Sequence, residues 1–237
     1  MSPSGPRPRT LPRTFYDRPA LEVARALLGK VLVHRSADGL AAGMIVETEA
    51  YIGETDPACH AASGLTPRNA PLYGGPGCAY VYFTYGMHCL VNAVTGRRGF
   101  PAAVLIRALD PLDGVQLMER RRGVAVRDGR TVPGDGGRRI ARHDLCRGPG
   151  NLARALGITL AQNRADLTRA ARRTGTGLWV EDRGLAVGRV TWSPRIGIRQ
   201  GTDHAWRCFV AGNAAVSGRR APASASRAAA ASRSPGP

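Results

Sequence analysis

Residues 46–64 read VETEAYIGETDPACHAASG and carry four carboxylates, Glu47, Glu49, Glu54 and Asp56, with Tyr51 and His60 among them. Strand periodicity over IVETEAY places Val46, Thr48 and Ala50 on one face and Glu47 and Glu49 on the other. A carboxylate delivered from a strand end into a loop-lined cleft suits a general base, because the strand fixes its position. The competing reading is that both glutamates line a solvated face. Clustered carboxylates could also hold Mg²⁺ beside a phosphate, as in a metal-dependent nuclease. Against that, Glu54 and Asp56 have no DxD-type partner run, and Asp110 and Asp113 stand beside a predicted helix start. Cys59-His60 and His88-Cys89 are adjacent pairs, which is not the spacing of a zinc module.

A second group with chemical potential is YVYFTYGMH, residues 80–88. It holds Tyr80, Tyr82 and Tyr85, half of the six tyrosines in a chain that is only 5% aromatic. Tyr80 and Tyr82 share strand parity, while Tyr85 has the opposite parity beside a predicted bend at Gly86. A buried aromatic strand would explain the pattern. Aromatic planes on a basic protein also suit stacking on bases, and an aromatic at a hairpin bend can act as a wedge in a duplex.

The chain is basic, with 34 Lys and Arg against 17 Asp and Glu and a formal net charge of +17. Residues 1–13 hold three arginines and residues 218–237 hold four, neither segment holding an acid, so a surplus of ten remains on residues 14–217. That surplus points to a polyanion such as nucleic acid. The five scattered cysteines form no CxxC pair, and the start MSPSGPRPRTLPRT has no apolar signal core. Reduced thiols and a cytoplasmic location, at the nucleoid in a bacterium, are therefore expected.

The elements that must carry these groups are legible in outline. Asp17 is expected to cap a helix over LEVARALL that stops at Gly29. VLVHR and LAAGMIVET read as a hairpin around SADG, and CAYVYFTYGMHCLVNAV as β-rich with a bend at Gly86. AAVLIRAL reads as a buried strand, followed by a helix over PLDGVQLMERRR; GPGNLARALGI reads as a further helix. Short strands follow at LWVE, RVTW and WRCFV. Residues 120–144 are glycine-rich and basic and read as a mobile loop, and residues 1–13 and 218–237 as disordered. Strands and helices do not alternate as βαβ units. The expected fold is a single α+β domain over residues 14–217, with a curved, mainly antiparallel sheet, surrounding helices and a protruding aromatic hairpin.

VETEAYIGETDPACH, TPRN, YVYFTYGMHCLVN, LIRALDP, LCRGPGNLARALGI and DRG closely resemble the alkyladenine (3-methyladenine) DNA glycosylase family. This family is distinct from the helix-hairpin-helix glycosylases. The resemblance runs in order from Tyr16 to Val216, and it loosens in residues 123–139 and 199–208. It implies an enzyme that flips damaged purines out of double-stranded DNA and hydrolyses the N-glycosidic bond; with the one lysine, Lys30, outside every matched motif, the enzyme is expected to be monofunctional and to act as a monomer without a cofactor, metal or membrane. It implies that Glu49 activates water, held by Arg107 and the main-chain carbonyl of Ile196. Tyr51 and Tyr82 would sandwich the flipped base, with His60 at its edge and Asn92 helping to reject guanine. Tyr85, supported by Met87, would fill the gap in the duplex. The readings that differ in class are a non-catalytic binder of damaged DNA and the metal-dependent nuclease.

Overall fold

The computed structural model describes residues 7–84, 86–126, 139–172 and 174–218. In chain order its strands are β1 (Arg9–Thr10), β2 (Val31–Ser36), β3 (Gly39–Ile52), β4 (Ala79–Thr84), β5 (His88–Thr95) and β6 (Ala102–Asp113). They continue with β7 (Ala125–Val126), β8 (Arg139–Ile140), β9 (Gly177–Asp182), β10 (Val190–Ser193) and β11 (Arg207–Val210). The helices are α1 (Arg13–Tyr16), α2 (Ala20–Leu27), α3 (Val115–Arg122) and α4 (Pro149–Leu156).

The main sheet runs β1-β9-β2-β3-β6-β5-β4, with every pairing antiparallel, as an α+β fold requires. β3 is long enough for two strands to share one of its edges. β2 pairs with Gly39–Met44, and β11 pairs with Glu47–Glu49 and carries β10 outside it. Among the described residues the parallel pairing is the two-residue β7–β8.

One face of the sheet carries the main core. The buried side of α2, Val23, Ala24 and Leu27, packs on β3 and β6, and α4 packs on β5 and β6. Ile45, Ile106, Leu109, Leu152 and Leu156 are fully buried there, each contributing about 1.5–3 kcal/mol from burial. Thr48, on that face as the periodicity predicts, donates its hydroxyl to the Ala24 carbonyl at 2.9 Å. The opposite face carries Glu47 and Glu49.

Two bulges interrupt the β3–β6 ladder at this point. Thr48 opposes Ile106 and Glu47 opposes Ala108, which leaves Arg107 without a register partner; Ile45 opposes Leu109, which leaves out Val46. A bulge bends its strand and re-aims the side chain it carries. Here it turns Arg107 toward both glutamates.

Several boundaries differ from the expected ones. Asp17 does not cap the second helix; it closes α1, and α2 starts from Pro19 with no side-chain cap. Pro111–Asp113 extend β6 instead of opening a helix. Pro111 lacks an N–H and sits opposite a register shift at Gly43, where a ladder bond is not needed. The helix waits for Gly114, at φ 72°, where a Cβ would meet the Leu40 carbonyl oxygen at 2.2 Å. The basic loop is shorter than expected, since Arg120–Arg122 belong to α3 and Arg142–Asp144 form a 3₁₀ turn; residues 127–138 lie outside the described residues. Ordered pairing begins at Arg9 within the N-terminal segment read as disordered. Residues 1–6 and 219–237 lie outside the described residues.

Candidate active site

Glu47 and Glu49 have no solvent-exposed surface, so the solvated-face reading is wrong for both. Their surroundings differ. Glu49 accepts the Ile196 amide on Oε1 at 2.7 Å and the Tyr51 hydroxyl on Oε2 at 2.9 Å, and Arg107 Nη1 lies 3.1 Å from Oε2. A carboxylate has about four acceptor directions. Glu49 thus has three donors and keeps an acceptor direction on Oε1. Glu47 has four. Its Oε1 takes Arg107 Nε at 2.9 Å, Arg207 Nε at 2.7 Å and Ser217 Oγ at 2.9 Å, and its Oε2 takes the Ser217 amide at 2.6 Å.

Burial alone would raise the Glu47 pKa, but Arg107, Arg207 and the Ser217 amide outweigh it and hold the carboxyl below its ordinary range. Two glutamates and two arginines thus neutralise one another beneath the site, and Glu47 fixes the arginine that reaches Glu49. Burial, with Glu49 alongside, pushes the Tyr51 phenol up, so it stays protonated and remains a donor.

The three groups that hold Glu49, namely Tyr51, Arg107 and Ile196, line a cavity of about 730 Å³. His60, Tyr82 and Asn92 line it as well. Tyr51 comes from the end of β3, Tyr82 from β4, Asn92 from β5 and Arg107 from β6, so strands position four walls; His60 and Ile196 come from loops. Tyr80 and Tyr82, on one strand face as predicted, stack at 5.3 Å and 30°. His60 Nδ1 is 2.8 Å from the Tyr80 hydroxyl, and its ring meets Tyr82 edge-on at 4.4 Å. Desolvation and then the charge of Arg68 lower the His60 pKa, which keeps the imidazole neutral at pH 7. Asn92 is fixed by donating Nδ2 to the Tyr80 carbonyl at 3.0 Å.

The structure therefore gathers Glu49, Tyr51, His60, Tyr82, Asn92, Arg107 and Ile196 in one place. At Ile196 it is the amide that touches Glu49. Met87 lies in the β4–β5 turn and is 70% exposed. Tyr85 lies outside the described residues. The four carboxylates of the opening motif do not converge on one point. Glu54 accepts from the Tyr73 hydroxyl and Asp56 is forked by Arg195, so each is already committed elsewhere. Among the described residues no group of three or more His, Cys, Asp or Glu side chains is placed to hold a metal ion. All five cysteines are free thiols. Lys30, the chain's one lysine, is paired with Asp182 at 2.6 Å at the junction of α2 and β2.

Sequence reasoning missed Arg207 and Ser217, which complete the shell of Glu47, and Arg195. Arg207 and Arg195 are two arginines among 33 with nothing in their spacing to mark them. Ser217 falls at the edge of the low-complexity tail, where composition argues against any role.

Residues 14–214 match the family profile described as Methylpurine-DNA glycosylase (MPG). Related proteins, each provisionally named a 3-methyladenine DNA glycosylase, span nearly the same length. One from Methanocella arvoryzae is 46% identical over 215 residues, covering 90% of this chain and 97% of its own. One from Burkholderia lata is 47% identical over 217 residues, with 90% and 95% covered, and one from Chlorobium phaeobacteroides is 44% identical over 209 residues, with 87% and 94% covered. With a profile match across most of the chain and relatives aligned almost end to end, the protein belongs to the methylpurine-DNA glycosylase family, hydrolases that cleave N-glycosyl bonds in DNA.

Proposed function

We propose that the enzyme flips alkylated purines of the 3-methyladenine type out of duplex DNA and hydrolyses their N-glycosidic bond with water activated by Glu49. The observation that carries this reading is the free acceptor direction on Glu49 Oε1, in a carboxylate otherwise held by three groups that line the cavity. Alkylation at N3 or N7 makes the purine cationic and a good leaving group, and its departure leaves an oxocarbenium-like sugar. A fixed carboxylate takes the proton of the attacking water and stabilises that cation, as in glycoside hydrolysis. Tyr51 and Tyr82 stack the base, and a neutral His60 contacts its edge without repelling its charge. Asn92 disfavours guanine, Tyr85 plugs the duplex with Met87 beside it, and Ile196 and Arg107 hold the water. The enzyme works as a monomer in the cytoplasm, at the nucleoid where the cell is a bacterium.

The test is base release from methylated duplex DNA in EDTA. Free 3-methyladenine is expected from the parent, with no covalent adduct trapped by borohydride, because among the described residues the site offers a carboxylate and no amine, Lys30 being paired with Asp182. Glu49→Gln keeps the shape but cannot accept the proton, so release should fall by about 10²–10⁴ while lesion binding persists. A Glu49→Gln enzyme as fast as the parent, or an adduct that vanishes in Lys30→Ala, would overturn the mechanism. Binding without release by the parent would identify a non-catalytic damage binder, and strand cutting abolished by EDTA a nuclease.

A further inference from the structure

Behind the cavity wall, the Arg195 side chain is closed off from solvent together with that of Asp56. Its guanidinium is sandwiched between aromatic rings, with Cζ 4.7 Å from the centroid of Tyr51 and 4.9 Å from that of Trp206. Trp206 in turn stacks on His204 at 4.1 Å and 8°. The Nη edge of the guanidinium is held as firmly as its faces, while the buried Nε has no hydrogen-bond partner among the described residues. Nη1 donates to Asp56 Oδ2 at 2.6 Å and to the Ala50 carbonyl at 3.1 Å, and Nη2 donates to Asp56 Oδ1 at 2.8 Å. Asp56 is anchored by the amides of Ile52 and Ala58, both at 3.1 Å.

A fully buried ion pair loses so much hydration that apolar side chains of the same volume often stabilise a fold equally well. What an arginine fork adds is a plane of fixed orientation. That plane lies where orientation matters. The ring stacked on it, Tyr51, gives one hydrogen bond to Glu49, and the residue next to it in the chain, Ile196, gives the other. The two bonds reach opposite oxygens of the carboxylate, so together they set its rotation.

From this geometry we infer that Arg195, locked by Asp56, is the positioning residue for Glu49: it holds the Tyr51 ring and the Ile196 amide, and through them sets which acceptor direction of the carboxylate faces the water. The inference rests on the reading of Glu49 as the base. Arg195 touches neither the water nor the purine. Loosening it frees the Tyr51 ring and lets the carboxylate turn, while the rest of the cavity wall and the DNA-facing surface stay in place.

The experiment compares the parent with Arg195→Lys, which keeps the charge but loses the fork and the flat face, and with Asp56→Asn. Single-turnover release of 3-methyladenine is measured at saturating enzyme, alongside affinity for a duplex bearing an abasic-site analogue. Misplacing a catalytic group by an ångström costs on the order of 10²-fold, so release should fall roughly 10- to 100-fold with affinity unchanged. Trp206→Leu, which removes one of the two rings and leaves the ion pair intact, should show the same split more weakly; it decides the matter if Arg195→Lys does not fold. A loss confined to affinity, or one that falls on rate and affinity alike, would overturn the positioning role. A working parent with unchanged Arg195→Lys and Trp206→Leu enzymes would sink that role alone. A parent that releases no base would sink the role of Glu49 with it.

Discussion

Glu47 and Glu49 are the same residue type, two positions apart on one strand face, and they do different work because their partners differ. Glu47 has four donors on its two oxygens, three of them on Oε1, whereas Glu49 has three and keeps an acceptor direction open on Oε1. The lowered pKa of Glu47 makes it a stabilising anion with a defined pH range. Its contribution is complete above the unfolded carboxyl value of about 4.5 and is lost as pH falls from there through the lower folded value. In Glu47→Gln, Arg107 and Arg207 remain buried with half their countercharge gone, a cost on the order of 3 kcal/mol. Melting temperatures at pH 7 and at successively lower pH should show the parent's advantage over Glu47→Gln shrinking below about pH 4.5. An advantage that stays constant with pH would mean that the carboxylate charge is not what Glu47 contributes. Spacing alone could not tell the two glutamates apart, because the groups that distinguish them arrive 160 and 170 residues later in the chain.

Two elements complete the site: the bulge in β6 that aims Arg107, and the segment after β11. Ser217 gives both its amide and its hydroxyl to Glu47, and its carbonyl accepts from Arg207 Nη2 at 2.9 Å. Arg147 Nε donates to the preceding carbonyl, that of Val216, at 3.0 Å. A chain ended after Gly218 should therefore release base like the full chain. One ended after Val216 loses both Ser217 donors and places a terminal carboxylate beside Glu47, so its melting temperature should fall and its release drop by at least about 10-fold. Equal release and equal melting by the two truncated chains would show that the segment is dispensable. The strands and both longer amphipathic helices were readable because periodicity and glycine stops are local signals. The β3 pattern put Glu49 at the mouth of a cleft, and the family resemblance, not the β6 pattern, brought Arg107 to it. The double bulge was not readable, because a register shift depends on which residues two distant strands bring opposite each other. The helix expected over PLDG failed for a related reason: pairing with β3 outweighs the local preference until Gly114 allows the turn.

Across the whole molecule, arginines divide into those spent inside and those left for DNA. Arg107, Arg195 and Arg207 are buried against carboxylates, while Arg68 and Arg199, at or beside the cavity, and Arg97 and Arg98, after β5, are exposed. Among the described residues the buried arginines are offset by carboxylates, so the positive surplus lies on exposed ones, where phosphates can reach it. With six phosphate contacts, affinity for duplex DNA measured by anisotropy against KCl should fall with a log–log slope of roughly −5. A slope near zero would separate this charge from DNA binding. The strap formed by Ser217 has a consequence in time. Glu47 leaves the ribosome early, but its last two hydrogen-bond donors leave 170 residues later. At about 5–20 residues per second a growing chain spends many seconds with Glu47 lacking both Arg207 and Ser217 beneath an unfinished site. An enzyme that cuts bases from the genome thus acquires its working geometry only once Ser217 has been made, long after the strand that bears its carboxylates.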